Sequence, residues 1–238
     1  MYGTLNGVQK GDGVSSNVLT GAEVRRERNR REMQLAILEE ASRIVAEQGV
    51  DALSIRAIAR NLGYSPGALY EYFQDKDAIV NGLYFKGADG LGMVLERTMA
   101  GLGPEVDTIE TMRVLARAYR NHALANPELF RLGLTTVMRA DDYDVDADDR
   151  SSQGGYPILL EVVQRGQAEG VLIDLPAPML AAAAWSIAHG FVSLELTNHL
   201  AGGERPGQAA ATAEESLQRR DAAFEGALDI FLFGLKRR

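Results

Sequence analysis

Residues 54–73 read SIRAIARNLGYSPGALYEYF, two short apolar-periodic runs parted by Gly63, Tyr64 and Ser65. In the first run Ile55, Ile58, Ala59 and Leu62 recur at helical spacing, and Ser54 stands where an N-cap oxygen is needed. Gly63 stops that helix. Ser65 caps the next one, and Pro66 takes its first position, where a missing N–H costs nothing. Two helices joined by a three-residue turn containing glycine form a helix-turn-helix, whose second helix lies in the major groove of DNA. The residue types suit that task. Ile58, Ala59, Leu62, Leu69 and Phe73 have to pack the pair against a preceding helix and fix the crossing angle. Ser65, Pro66, Gly67 and Ala68 are small enough to let the leading backbone approach base edges, and a helix N-terminus favours phosphate. Tyr70 and Tyr72 flank that face with a ring and a hydroxyl, and Lys76 opens the next helix where a backbone phosphate can sit. Gly67 and Ala68 also suit simple turn chemistry, and the tyrosines suit core packing, Tyr72 above all.

Outward from this stretch nearly every segment repeats with period 3.6, so the expected fold class is all-α, with about nine helices. Residues 29–48 carry Met33, Ile37, Ile44 and Val45 on one stripe and end at Gly49. Asp75 caps a long helix reaching towards Met99, and further helices are expected at 108–125, 127–138, 156–169, 178–200 and 213–235. The helix after Pro66 is expected to run to Phe73. The Gly-, Ser- and Asn-rich residues 1–22 read as a flexible tail, residues 23–75 as a helix-turn-helix domain, and residues 76–238 as a larger helical domain.

Composition narrows the function classes. The 238 residues contain no cysteine, so disulfides, thiolate metal sites and cysteine nucleophiles are excluded. No apolar leader stands at the N-terminus, and a reducing cytoplasm fits. The most apolar stretch, residues 178–194, is broken by Ser186 and His189 and reads as a buried helix, with no membrane partner expected. Net charge is −8, yet residues 1–80 hold 10 Lys and Arg against 11 Asp and Glu, so the acidity lies downstream. Arg25, Arg26, Arg28, Arg30 and Arg31 are opposed only by Glu27, which makes one end of an acidic chain basic and fit for a polyanion. The acidic run at 141–149 has neither the glycine nor the final glutamate of a calcium loop, and His122, His189 and His199 lack zinc spacing, so neither metal nor cofactor is expected. No nucleophile elbow, phosphate loop or paired acids appear, which argues against an enzyme.

The pattern S-x3-IA-x3-G-x-S-x3-LY-x-YF-x-DK, running from Ser54 to Lys76, resembles the TetR family of bacterial transcriptional repressors over about residues 31–91. The resemblance implies a three-helix DNA-binding domain, a helical regulatory domain, a homodimer on a palindromic operator of double-stranded DNA, and release by a small molecule. It implies backbone contacts from Tyr70 and Lys76 and a groove-facing helix start at Ser65, Pro66, Gly67 and Ala68. Ser54 and Arg56 open the preceding helix, and Arg31 belongs to the basic arm. Glu71 departs from the pattern, since many relatives are basic there. ANPELFRL at 125–132 and AWSIAHGFVSLEL at 184–196 resemble one regulatory-domain class with Trp and His-Gly on the eighth helix. That likeness implies dimerisation through the last two long helices and an effector pocket among the fourth to eighth. Candidates to line it are Met93, Met112, Leu115, Tyr119, His122 and Phe130, then Leu134, Met138, Val162, Trp185 and His189. A mostly apolar cavity with a few polar tips suits a small apolar or amphipathic effector. Two rival readings stay open: a DNA-binding regulator without an effector, and a helical lipid carrier or enzyme with an incidental helix-turn-helix.

Overall fold

A computed structural model describes residues 20–135, 154–200 and 212–237. They form nine α-helices and one 3-10 turn at Val50–Ala52. Helix α1, Gly21–Gln48, begins earlier than the sequence suggests, because Thr20 and Glu23 build a capping box. The Thr20 N–H donates to Glu23 Oε2 at 2.7 Å, and the Glu23 N–H donates to Thr20 Oγ1 at 3.3 Å. This satisfies two orphan donors at the helix start, so residues 20–22 of the expected tail belong to the cap and first turn of α1, and residues 1–19 lie outside the described residues.

Helix α2 spans Ile55–Leu62, capped by the Ser54 side chain and ended by Gly63 at φ 76°, a left-handed conformation that glycine adopts without strain. Helix α3 is a single turn, Pro66–Leu69, and does not reach Phe73. The Tyr72 and Phe73 N–H groups both donate to the Leu69 carbonyl at 3.0 Å, closing a turn instead. Packing decides this: Phe73 is buried and Asp75 already caps α4, Lys76–Ala100, so the chain must reverse within a few residues. Helices α5, Thr108–Ala125, and α6, Pro127–Thr135, follow, and residues 136–138 of the expected sixth helix lie outside the described residues. Helices α7, Tyr156–Ala168, α8, Ala177–Leu196, and α9, Ala213–Leu235, complete the set. Helix α8 stops short of Leu200, because Asn198 adopts φ 57° and the His199 N–H donates to the Leu194 carbonyl at 2.9 Å, a Schellman ending.

Two cores organise these helices. The first gathers Ile37, Ile44 and Val45 of α1 with Ile58 and Ala59 of α2 and Leu69 of α3. Ile79 and Leu83 of α4 and Leu132 of α6 belong to the same cluster, so the packing does not break at the expected boundary of residue 75. α1 and α4 approach closely at Gly82, where a methyl group would stand 2.7 Å from a Leu38 methyl. The second core joins α4, α5, α7, α8 and α9.

One buried ion pair ties three of these helices. Arg120 of α5 donates two hydrogen bonds, 2.7 and 2.8 Å, to Glu195 of α8 and also meets Asp221 of α9 at 2.7 Å. Its guanidinium lies 5.1 Å from the centre of the Phe224 ring. Two backbone bonds, Ile173 N–H to the Leu235 carbonyl and Arg237 N–H to the Val171 carbonyl, both 2.9 Å, stitch the α7–α8 connector to the end of α9. Helical periodicity carries no signal for that bridge.

Candidate DNA-reading face and internal cavity

The helix-turn-helix is assembled by caps. Ser54 Oγ accepts from the Ala57 N–H at 3.1 Å, Ser65 Oγ from Ala68 at 3.3 Å, and Asp75 Oδ1 from Ala78 at 2.8 Å. Each oxygen fixes where a helix begins and hence how the three short elements cross. Ser65, Pro66 and Gly67 are exposed, and Ala68 is half-buried above Leu69, which is sealed in the core. Tyr70 stands 55% exposed, a large aromatic surface left outside the core. Arg31, Arg56 and Lys76 are exposed as well. Tyr72 behaves otherwise: it packs against the head core, and its carbonyl accepts from Gln34 Nε2 at 3.4 Å. With only one turn, α3 has little macrodipole, so contact with phosphate falls to side chains and caps. Sequence reasoning passed over Tyr64, which is exposed in the turn between α2 and α3; its signal was an aromatic where turns favour small polar residues.

The larger unit is hollow. A cavity of about 230 Å³ lies among α4, α5, α7, α8 and α9. Helix α4 contributes Tyr84, Phe85, Ala88, Leu91 and Leu95; α5 contributes Met112, Leu115, Ala116 and Tyr119. Gly154, Gly155, Tyr156 and Leu159 line it as well, with Trp185 of α8 and Phe231 of α9. A methyl on Gly155 would run into the end of the Leu95 side chain, which would have to turn aside.

Four of the expected lining residues, Met112, Leu115, Tyr119 and Trp185, stand on this wall. His189 lies behind it, its Nδ1 hydrogen-bonded to the Tyr119 hydroxyl at 2.6 Å. Phe130 stacks on His189 with ring centres 4.8 Å apart. His122 is half-buried over Gly90 of α4, where a methyl group would meet its Cε1 at 3.7 Å. Met93 points away and is 52% exposed: it sits two residues, about 200°, from Leu91 on the helix. Leu134 is also exposed, Val162 is sealed in the second core, and Met138 lies outside the described residues. Tyr84, Phe85, Tyr156 and Phe231 were missed as lining, since their apolar stripe is the one that ordinary core packing produces.

Burial sets the protonation of this region. It pushes the Tyr119 hydroxyl up to about 12, offset in part by the Trp185 indole N–H, and it raises Tyr84. The same cause lowers His122 and His189, so both imidazoles are neutral at pH 7. Among the described residues no group of three acidic or histidine side chains is arranged to hold a metal ion. Only 28% of the most apolar window of α8 is buried, so the expectation of a buried helix holds for one face only. Met179, Ile187 and Leu194 of α8 and Ile230 and Phe233 of α9 are exposed.

A helix-turn-helix head braced on one long helix, which continues into a larger helical unit, defines a transcriptional regulator. The family profile for bacterial regulatory proteins of the tetR family matches residues 37–83, and that for the tetracyclin repressor-like C-terminal domain matches residues 112–219. The chain belongs to the TetR family. An HTH-type transcriptional repressor of Mycobacterium tuberculosis is 28% identical over 192 residues, covering 77% of this chain and 91% of its own. An HTH-type transcriptional regulator of the same organism is 26% identical over 162 residues, 68% of this chain and 69% of its own. A solved structure from Rhodococcus sp. RHA1, of unknown function, shares the fold with a TM-score of 0.67 at 24% identity, over 86% of this chain and 96% of that one.

Proposed function

We propose that the protein is a repressor that binds a palindromic operator as a homodimer in the cytoplasm and lets go when a small, largely apolar effector fills the cavity. Helix α4 carries this reading. Ile79 and Leu83 near its start are sealed in the head core, while Tyr84, Leu91 and Leu95 line the cavity. A ligand that reshapes the cavity therefore bears on the helix that holds the head. Release requires only that the ligand binds the released arrangement more tightly, since equal affinity shifts nothing.

The apolar outer faces of α8 and α9 support dimerisation, because two copies of this pair bury them as a four-helix bundle. Such a dimer holds its heads about one helical turn, roughly 34 to 36 Å, apart. DNA contact is assigned to Arg31, Ser54, Arg56, Ser65, Pro66, Gly67, Ala68, Tyr70 and Lys76, with Tyr64 added and Tyr72 kept as a support. The M. tuberculosis relative named a repressor favours repression over activation.

A gel shift on the DNA upstream of the protein's own coding region tests this. The expected result is a salt-sensitive complex of two chains per site. A monomeric mass in solution, or no duplex binding at low salt, would overturn it.

A further inference from the structure

We propose that the cavity selects a neutral, ring-bearing apolar molecule with a single hydroxyl or carbonyl group, and that this group pairs with the Tyr84 hydroxyl. The proposal rests on the effector reading above and names the chemistry of that effector.

Charge is disfavoured first. Among the described residues, no Asp, Glu, Lys or Arg lines the cavity. The arginines of α5 are engaged elsewhere, Arg120 with Glu195, and Arg113 and Arg117 with Glu225. A carboxylate or ammonium entering this space would lose its hydration and meet no counter-charge on the described wall.

The aromatic content argues for a ring. Tyr84, Phe85, Tyr119, Tyr156, Trp185 and Phe231 give the wall six aromatic side chains. Flat faces and edges make their best contacts with a rigid ring system, whereas a flexible chain must lose rotamer freedom to fill the same space.

The polar demand is set by what the hydroxyls already do. Tyr119 is bonded to His189 at 2.6 Å, and Tyr156 donates to the Pro178 carbonyl at 3.2 Å. Tyr84 is half-buried, and its hydroxyl has no hydrogen-bond partner among the described residues. Its ring is backed by Gly133 of α6, where a methyl group would come within 3.2 Å, so little room is left for it to swing away. One phenol can donate to a carbonyl or exchange bonds with a hydroxyl. Because Tyr84 sits on α4 next to Leu83 of the head core, the bond it makes is made by the helix that carries the head.

Trp185, the single tryptophan of the chain, lines the cavity and serves as the reporter. The full-length protein is titrated with 2-decalone, decalin, decalin-2-carboxylate, 2-decanone and decanoate, whose near-ultraviolet absorption is absent or weak beside that of tryptophan, and fluorescence and melting are followed. The expected order places 2-decalone about tenfold or more ahead of both carboxylates and ahead of the linear ketone. Tyr84→Phe should weaken 2-decalone several-fold, by about the worth of one hydrogen bond, and leave decalin within about twofold. A carboxylate or linear chain binding as well as 2-decalone overturns the proposal, as does an equal effect of Tyr84→Phe on ketone and hydrocarbon. If no compound of any class moves fluorescence or melting in a protein that still binds DNA, the effector reading itself falls.

Discussion

The head and the hollow unit share one helix, α4, yet are packed to opposite ends. In the head Ile37, Ile58 and Leu83 are fully buried, and every short helix starts on a capping side chain. In the larger unit the walls stop short of one another around about 230 Å³, and a run of two glycines is part of the lining. The contrast is one of purpose. A reading head gains from having one geometry, because phosphate contacts fix register and a misplaced rod reads nothing. On the proposed function, the larger unit has to keep space that its own side chains could have filled, at some cost in stability.

The largest expected effects test that contrast directly. Leu83→Ala should cost about 4 kcal/mol, because a tight core cannot collapse around the hole, whereas Leu115→Ala on the cavity wall should cost about 2 kcal/mol, having fewer neighbours to lose. Urea unfolding of both variants checks the difference, and equal losses would mean that the two cores are packed alike. Next in size, Glu195→Leu leaves the Arg120 guanidinium with only the exposed Asp221 and should destabilise by about 3 kcal/mol, while Arg120→Met with Glu195→Leu should recover most of it.

Smaller again is the effect at the head's surface. Tyr70→Ala with Lys76→Ala should leave melting unchanged, lower operator affinity about tenfold or more, and reduce the salt slope of binding by about one. Binding titrations at several salt concentrations decide it. The smallest effect is a dependence on pH confined to the hollow unit. His122 and His189 are held below their ordinary value of 6.5 by burial, so the unfolded chain takes up protons first as pH falls. Stability from these groups is complete above about pH 6.5 and is lost on acidification towards their lowered folded values. Melting curves between pH 7.5 and about 5 should show this loss, and His189→Gln should reduce it.

The head was the more legible part of the sequence, for a physical reason. Ser54, Gly63, Ser65, Pro66 and Asp75 act on backbone groups within three residues of themselves, so their meaning is local. Helix α5 was legible in the same way, its ends set by Asp107 and by the Asn126-Pro127 break. The extent of α3 was not, because burial of Phe73 and the approach of α4 stop it early, and neither is visible in four residues of propensity. The site divided likewise. Met112, Tyr119 and Trp185 were found because polar tips or a flexible thioether on an apolar stripe invite the question of what they face. Tyr84, Leu91 and Leu95 were not, since a helix face turned to an empty space has the same composition as one turned to another helix. Met93 is a different kind of miss: at about 100° per residue the spacing already sets it about 200° from Leu91, on the outer face where it stands exposed.

Leu132 has a practical meaning for anyone wishing to reuse this reader with another sensor. A graft cut after residue 75 would leave Leu69 and Ile58 open to water on the side that Ile79, Leu83 and Leu132 now close. The portable cassette is therefore discontinuous: it includes the opening turns of α4 and a borrowed leucine from α6, some fifty residues later in the chain.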